Sequence, residues 1–208
     1  VSTPMVSLAA NRFNCQIGVV LTASHNPPSY NGYKLKADFG GPLAPEHVQE
    51  VQDLIPDNCS VDFSTIDIES HAQKGKVLVD DIETMYVEHV KNSFDLQAIQ
   101  TSNLNLIYDA MYGAGQRVLP RILPNVELLH CDYNPSFMGQ APEPIGKNLK
   151  ELAAHLKSTG SFDCALATDG DADRIGMFNG AGEFVDSHHL ILLLIHYLVK
   201  YKGQTGKI

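Results

Sequence analysis

The stretch Thr22-Ala23-Ser24-His25-Asn26-Pro27 sets a hydroxyl with small neighbours beside an imidazole, and Lys34 and Lys36 follow closely. Hydroxyl, imidazole and ammonium groups together can attack, move protons and hold negative charge. Far downstream, Asp169-Gly170-Asp171-Ala172-Asp173-Arg174 sets three carboxylates at alternate positions. On an extended strand such carboxylates lie ~6–7 Å apart along one face. Gly170 and the small Ala172 let the chain curl, so that three hard oxygen ligands from Asp169, Asp171 and Asp173 can meet one Mg²⁺. Carboxylates gathered this way are costly in a folded protein unless a cation neutralises them. Arg174 adds a planar fork suited to a phosphate.

Other chemistries fail on specific residues. A serine-hydrolase elbow, Gly-x-Ser-x-Gly, needs glycines where Thr22 and Asn26 stand. An EF-hand loop begun at Asp169 needs glycine at its sixth position and glutamate at its twelfth, which are Arg174 and Gly180. A haloacid-dehalogenase phosphatase would put Thr or Val after the second aspartate, where Ala172 stands. Gly113-Ala114-Gly115 begins like a dinucleotide fingerprint, but the third glycine is replaced by Val118, so a backbone turn at a domain junction is expected there. Two plainer readings stay open on the residues alone: a polar turn whose serine bonds its own backbone, and three solvated aspartates in a loop. On an extended backbone, His25 would point away from Ser24.

Each loop follows a strand-like run. Ile17 to Leu21 has the length and β-branched content of a buried strand, and Cys164 to Thr168 is a second such run. Ser24 therefore belongs at the carboxyl end of a strand, where open α/β sheets bind ligands. Thr3-Pro4 reads as an N-cap and first helical residue, with Met5 and Leu8 as an apolar stripe. Pro45 opens a helix with Val48, Val51 and Ile55 on one face. Val61–Phe63 and Lys76–Val79 read as short strands, and Asp81–Phe94 as a helix. From Leu104 a regular alternation begins: strand 104–108, helix 114–123, strand 126–129, helix 148–157 with Leu149, Leu152 and Leu156 inward, and strand 164–168. That order implies parallel strands with right-handed crossovers. Ile175–Phe178 adds a strand, and Ser187–Tyr201 a closing, buried helix. The fold class is α/β, with mixed, mostly parallel sheets sandwiched by helices.

Taken together, the two loops resemble the α-D-phosphohexomutase family of phosphoglucomutases and phosphomannomutases. That family carries a Thr-(Ala/Gly)-Ser-His-Asn-Pro loop and an Asp-Gly-Asp-x-Asp-Arg loop, and both occur here in the family's order. Asn31-Gly32-Tyr33-Lys34, Ser2-Thr3-Pro4, Asp109 with Gly113 and Gly115, and Pro142-Glu143-Pro144 extend the likeness over most of the chain. The resemblance implies a phosphoserine at Ser24 that also ligates Mg²⁺, a general acid/base at Lys34, and His25 beside the phosphate. It implies phosphoryl transfer between O1 and O6 of a hexose through a glucose or mannose 1,6-bisphosphate that also acts as activator. Tyr33-Lys34 leans away from the glucosamine-phosphate branch of the family.

The resemblance also implies two phosphohexomutase-type domains: the later part of domain 1 over 1–80, domain 2 over 81–203, and the start of domain 3 at 204–208. The family's Gly-Glu-x-Ser-Gly-His and Arg-x-Ser-Gly-Thr segments and its early arginine do not occur in this sequence. The expectation is therefore a fragment with an incomplete first domain, inactive without domains 3 and 4. Two other functions stay open: a Mg²⁺-dependent phosphosugar hydrolase, or a non-catalytic phosphosugar- or metal-binding module.

Composition agrees with a globular chain: 44% of the 208 residues are hydrophobic. A net charge of -9 with no basic run argues against nucleic-acid binding. It leaves an anionic substrate open, because local lysines and a metal set the field at the site. Cys15, Cys59, Cys131 and Cys164 are scattered without a Cys-x-x-Cys pair, as expected of reduced, mostly buried thiols in a cytoplasmic protein. The apolar run Leu190–Ile195 is too short to span a bilayer. Adjacent His188 and His189 diverge in direction on a helix and are not expected to share a metal.

Overall fold

The computed structural model describes residues 1–206. Helix α1 (Thr3–Arg12) leads into strands β1 (Gly18–Thr22) and β2 (Gly32–Lys36), which pair antiparallel with Val20 opposite Lys34. The Ser24 loop is thus the tip of a hairpin, and Lys34 lies on its return strand. The return strand carries a short apolar–polar alternation, Tyr33-Lys34-Leu35-Lys36, which is assigned to no element from sequence. β1 is only half buried: Val20 faces the core, while Val19 and Leu21 are exposed. The expectation of a fully buried strand is corrected here, since a two-stranded ribbon leaves one face open.

Helices α2 (Pro45–Asp53) and α3 (Ile68–Gln73) follow. The strands expected at 61–63 and 76–79 do not form. Asp62 caps a 3₁₀ turn at Phe63–Thr65 by accepting from the Ser64 amide, and Asp67 caps α3 by accepting from Glu69 and Ser70. These local side-chain bonds give the backbone a partner that a short apolar run does not find in a neighbouring strand. Residues 76–79 have no regular structure.

The second unit runs α4 (Ile82–Ser93), α5 (Leu96–Gln100), β3 (Leu106–Asp109), α6 (Leu119–Ile122), β4 (Glu127–Leu129), α7 (Lys150–Thr159), β5 (Cys164–Thr168), β6 (Ile175–Asn179), β7 (Phe184–Val185) and α8 (Ser187–His196). Its sheet has the order β4-β3-β5-β6-β7, parallel among β4, β3 and β5 and antiparallel beyond. β3 and β5 therefore deliver their carboxyl ends side by side, at the point where the chain's direction across the sheet reverses. Leu149, Leu152 and Leu156 of the α7 segment pack on Ile107, Ala165, Ala167 and Phe178 of this sheet, as their spacing predicts. The helix expected over 114–123 breaks into a 3₁₀ turn at Ala114–Arg117 and the single turn of α6.

A second core joins the two halves. Met5 of α1 packs with Val87 of α4 and with Val118 and Ile122. This contact crosses the boundary expected near residue 80 and fixes α1, and with it the hairpin, against the five-stranded sheet. Two burial expectations are corrected. α8 is apolar all round, but Ile191, Leu192, Leu193 and Leu194 are exposed, and Tyr197–Tyr201 widen into a π-helical turn. None of the four free cysteines is fully buried, and Cys59 is exposed. No helix among the described residues is long and apolar enough to cross a membrane.

Leu152 is fully buried between α7 and the sheet. Leu152→Ala is expected to lower stability by about 2–5 kcal/mol in urea denaturation, and a loss under about 1 kcal/mol would show that α7 is not a true part of the core.

Candidate active site: a serine hairpin against a three-aspartate loop

The Asp169–Arg174 loop leaves β5 and turns back into β6. Asp169 organises it: its Oδ1 accepts from the Asp173 amide at 2.9 Å and the Arg174 amide at 3.0 Å. Ala172 takes a left-handed conformation with φ 55°, which supplies the curl that converges the carboxylates. Gly170 serves a different purpose from the one its residue type suggests in sequence. A Cβ there would collide with the carbonyl oxygen of Ser24, so only glycine lets the two loops touch. The β3 loop braces the other side: the Ala114 amide donates to the Gly170 carbonyl at 2.9 Å, and a Cβ on Gly113 would sit 2.8 Å from the Asp169 carbonyl oxygen. The glycines at 113 and 115 are thus packing positions behind the aspartate loop.

The hairpin brings Ser24 to this loop. Ser24 has φ 55°, an uncommon conformation for serine that its amide supports by donating to Thr22 Oγ1 at 2.8 Å. Its Oγ lies 3.3 Å from Asp169 Oδ2 and 3.2 Å from Asp171 Oδ1, close enough to donate to either. The same left-handed turn corrects the orientation of His25. On this backbone its Nδ1 reaches 3.5 Å from Ser24 Oγ, where an extended chain would have sent it away.

Lys34 reaches from β2 to Asp171 Oδ2 at 2.8 Å and Asp173 Oδ2 at 3.2 Å. Arg174 is looser: its Nε is 4.0 Å from Asp169 Oδ2 and half its side chain is exposed. Thr3 escapes sequence reasoning as a site residue. It is the first residue of α1, with Ser2 as the N-cap, and its Oγ1 donates to Asp171 Oδ2 at 2.7 Å while its amide donates to the Asp171 carbonyl at 2.9 Å. A contact across 168 positions leaves no periodic trace. The one sequence signal is the Ser2-Thr3-Pro4 run itself.

The side chains of Asp169, Asp171 and Asp173 offer oxygens that all lie within 4.8 Å of one another, as ligands of one hard cation must. Electrostatics agrees with that donor set. Burial, with the charges of Asp171 and Asp173, pushes the Asp169 carboxyl up to about 6 despite the opposing backbone bonds. Burial also acts to raise Asp171, but the Lys34 and Thr3 hydrogen bonds and the Lys34 charge outweigh it and hold that carboxyl below its ordinary value. Lys34 is raised: burial acts to lower it, and the bonds and charges of Asp171 and Asp173 prevail. Three carboxylates against one contacting ammonium leave excess negative charge that a divalent cation suits.

The family model for the phosphoglucomutase/phosphomannomutase α/β/α domain I matches residues 1–61, and the model for domain II matches 84–182. A phosphoglucomutase/phosphomannomutase of Thermococcus kodakarensis is 33% identical over 97% of this chain and 43% of its own length. A phosphoglucosamine mutase of Methanococcus maripaludis is 31% identical over 98% of this chain and 44% of its own length. The crystal structure of a phosphomannomutase-like protein from Thermus thermophilus superposes with a TM-score of 0.84 at 33% identity, covering 99% of this chain and 46% of that one. The chain belongs to the α-D-phosphohexomutase family. It spans less than half the length of these three relatives.

A raised Asp169 carboxyl makes stability depend on pH in a definite direction. Its folded-state value lies above the ordinary carboxylate value, so its stabilisation is full below about pH 4 and is lost as pH rises through about 6. Asp171 acts in a separate window: its contribution is present above about pH 4 and lost below it. Without divalent cation, the melting temperature is expected to fall between about pH 5 and 7.5, and Asp169→Asn should flatten that fall. Added Mg²⁺ should raise the melting temperature more at about pH 7.5 than at about pH 5, because the cation needs the ionised ligand. An equal increment at both values would show that Asp169 ionises freely.

Proposed function

We propose that this chain carries the phosphoserine and metal-binding portion of an α-D-phosphohexomutase, an intramolecular phosphotransferase that interconverts hexose 1-phosphate and hexose 6-phosphate. The observation that carries the proposal is the seating of Ser24 Oγ within 3.3 Å of two carboxylates of a three-aspartate loop. A hydroxyl has no need of three carboxylates beside it. A phosphoryl group on that hydroxyl, with a cation between, gives each of them a role. The domain assignment that goes with this reading is the later part of domain 1 over residues 1–80, domain 2 over 81–203 and the start of domain 3 at 204–208, of which 207–208 lie outside the described residues.

In the proposed cycle, phosphorylated Ser24 donates its phosphoryl group to the free hydroxyl of a hexose phosphate. The bond between phosphorus and Ser24 Oγ breaks, a bond to the sugar oxygen forms, and the sugar's hydroxyl proton leaves to a base while Oγ gains one. The resulting 1,6-bisphosphate turns over and returns its other phosphoryl group to Ser24. Lys34, which shares Asp171 with Ser24, is the residue proposed to move the proton. His25 flanks the phosphoester, and the half-exposed Arg174 offers its planar fork to a phosphate oxygen. Asp169, Asp171, Asp173 and the Ser24 phosphoryl oxygen are the proposed Mg²⁺ ligands; when bound, the cation supplies charge neutralisation and Lewis acidity at the transferring group. Relatives named for glucose, mannose and glucosamine phosphates match this chain with similar identity, so the proposed substrate class is hexose phosphate.

Ser24→Ala in the active enzyme is expected to remove nearly all mutase turnover while leaving the fold intact, because it deletes one side-chain oxygen. Intact-mass analysis should show one added phosphate in the parent and none in the variant. Persistence of the phosphate, or surviving activity, would exclude Ser24 as the carrier. Asp171→Ala is expected to abolish detectable Mg²⁺ binding in calorimetry. Unchanged binding would reduce the aspartate loop to a solvated turn.

A further inference from the structure

Lys34 and a divalent cation compete for the same oxygens. Lys34 Nζ lies 2.8 Å from Asp171 Oδ2 and 3.2 Å from Asp173 Oδ2, so it engages two of the three carboxylates that make up the cation donor set. Three protein partners already engage Asp171: Oδ1 accepts from Ser24, and Oδ2 from both Thr3 and Lys34. Its side chain is only 4% exposed, which limits relief by water. A cation drawn onto these oxygens at about 2.1 Å would face an ammonium held within the same few ångströms, and two such charges repel strongly in a part-buried cleft. Lys34 has somewhere to go. It is anchored in the middle of β2 opposite Val20, its side chain is 35% exposed, and its long stem can swing toward solvent.

We propose that Lys34 is a built-in counter-ion which a divalent cation must detach from Asp171 and Asp173, so that cation loading and release of the Lys34 ammonium into the cleft are one linked equilibrium. The inference rests on the reading of the three aspartates as a cation site and extends it. The group proposed to move the proton is withheld by the acids until the cation takes its place. Linkage makes the effect reciprocal: whatever frees Lys34 also tightens the cation. The arrangement would keep a bare phosphoserine from meeting a mobile ammonium before the charge-neutralising ion is seated.

The test is calorimetric titration of the full chain with MgCl₂, using Lys34→Met and Lys36→Met. Lys36 lies two residues along the same strand and forms no ion pair among the described residues, so its variant removes the same charge without removing the contact. Lys34→Met is expected to tighten Mg²⁺ binding about tenfold, within the range typical of coupled sites, and Lys36→Met to change it by less than about threefold. A second measurement needs no variant. Acylation of lysines by acetic anhydride, read by peptide mass spectrometry, should rise at Lys34 relative to Lys36 when Mg²⁺ saturates the chain. Equal tightening in the two variants, weaker binding in Lys34→Met, or an unchanged Lys34-to-Lys36 acylation ratio would each overturn the linkage while leaving the metal reading in place. No Mg²⁺ binding by the unmodified chain would overturn both.

Discussion

The contact between the Ser24 hairpin and the Asp169–Asp173 loop is the interaction on which the structure depends. It brings three carboxylates, one hydroxyl and one ammonium into a volume that would be strongly repulsive without its cations. Backbone as well as side chain makes the contact: Gly170 lies against the Ser24 carbonyl, and the Thr3 amide bonds the Asp171 carbonyl. The geometry is therefore held by main-chain packing, and the charged groups need only be neutralised within it. The main-chain part of the site is thus preorganised, with its backbone dipoles already placed.

The surrounding fold serves this contact. Parallel β3 and β5 present adjacent carboxyl-end loops, and Gly113 and Ala114 of the first brace the second from behind. Met5 and Val87 lock α1 to α4, which carries Thr3 to Asp171 and keeps the hairpin over the aspartates. Both units thus contribute to one site, and their shared apolar core holds in place a charge pair spanning them, Lys34 with Asp171.

Asp169 and Asp171 show how environment divides identical side chains. They lie two residues apart, and both are buried. Asp169 uses its oxygens on its own loop's amides and on Ser24 and meets a cation only at 4.0 Å, the half-exposed Arg174, so burial dominates and its carboxyl rises to about 6. Asp171 meets Lys34 and Thr3, and its carboxyl falls. Neither direction follows from the aspartate spacing, because each depends on partners contributed by other elements.

The sequence by itself determined the chemistry-bearing residues and the framework beneath them. Two long motifs named the family, the Leu149, Leu152 and Leu156 spacing named the inward face of α7, and the strand–loop order put Ser24 and Asp169 at carboxyl ends. These are local signals, carried by residue type and periodicity over a few turns or a few strand positions. Tertiary structure alone decided the rest. Lys34 became a partner of Asp171 only because β2 pairs back along β1, and Thr3 only because α1 is docked by Met5. His25 turned toward Ser24 because Ser24 adopts a left-handed conformation where it meets the opposing loop. The run at 61–63 failed as a strand because the Asp62 cap outweighs a short apolar sequence, and the run at 76–79 pairs with no strand among the described residues. Contacts between residues more than a hundred positions apart depend on where whole elements pack, and no local pattern encodes that placement.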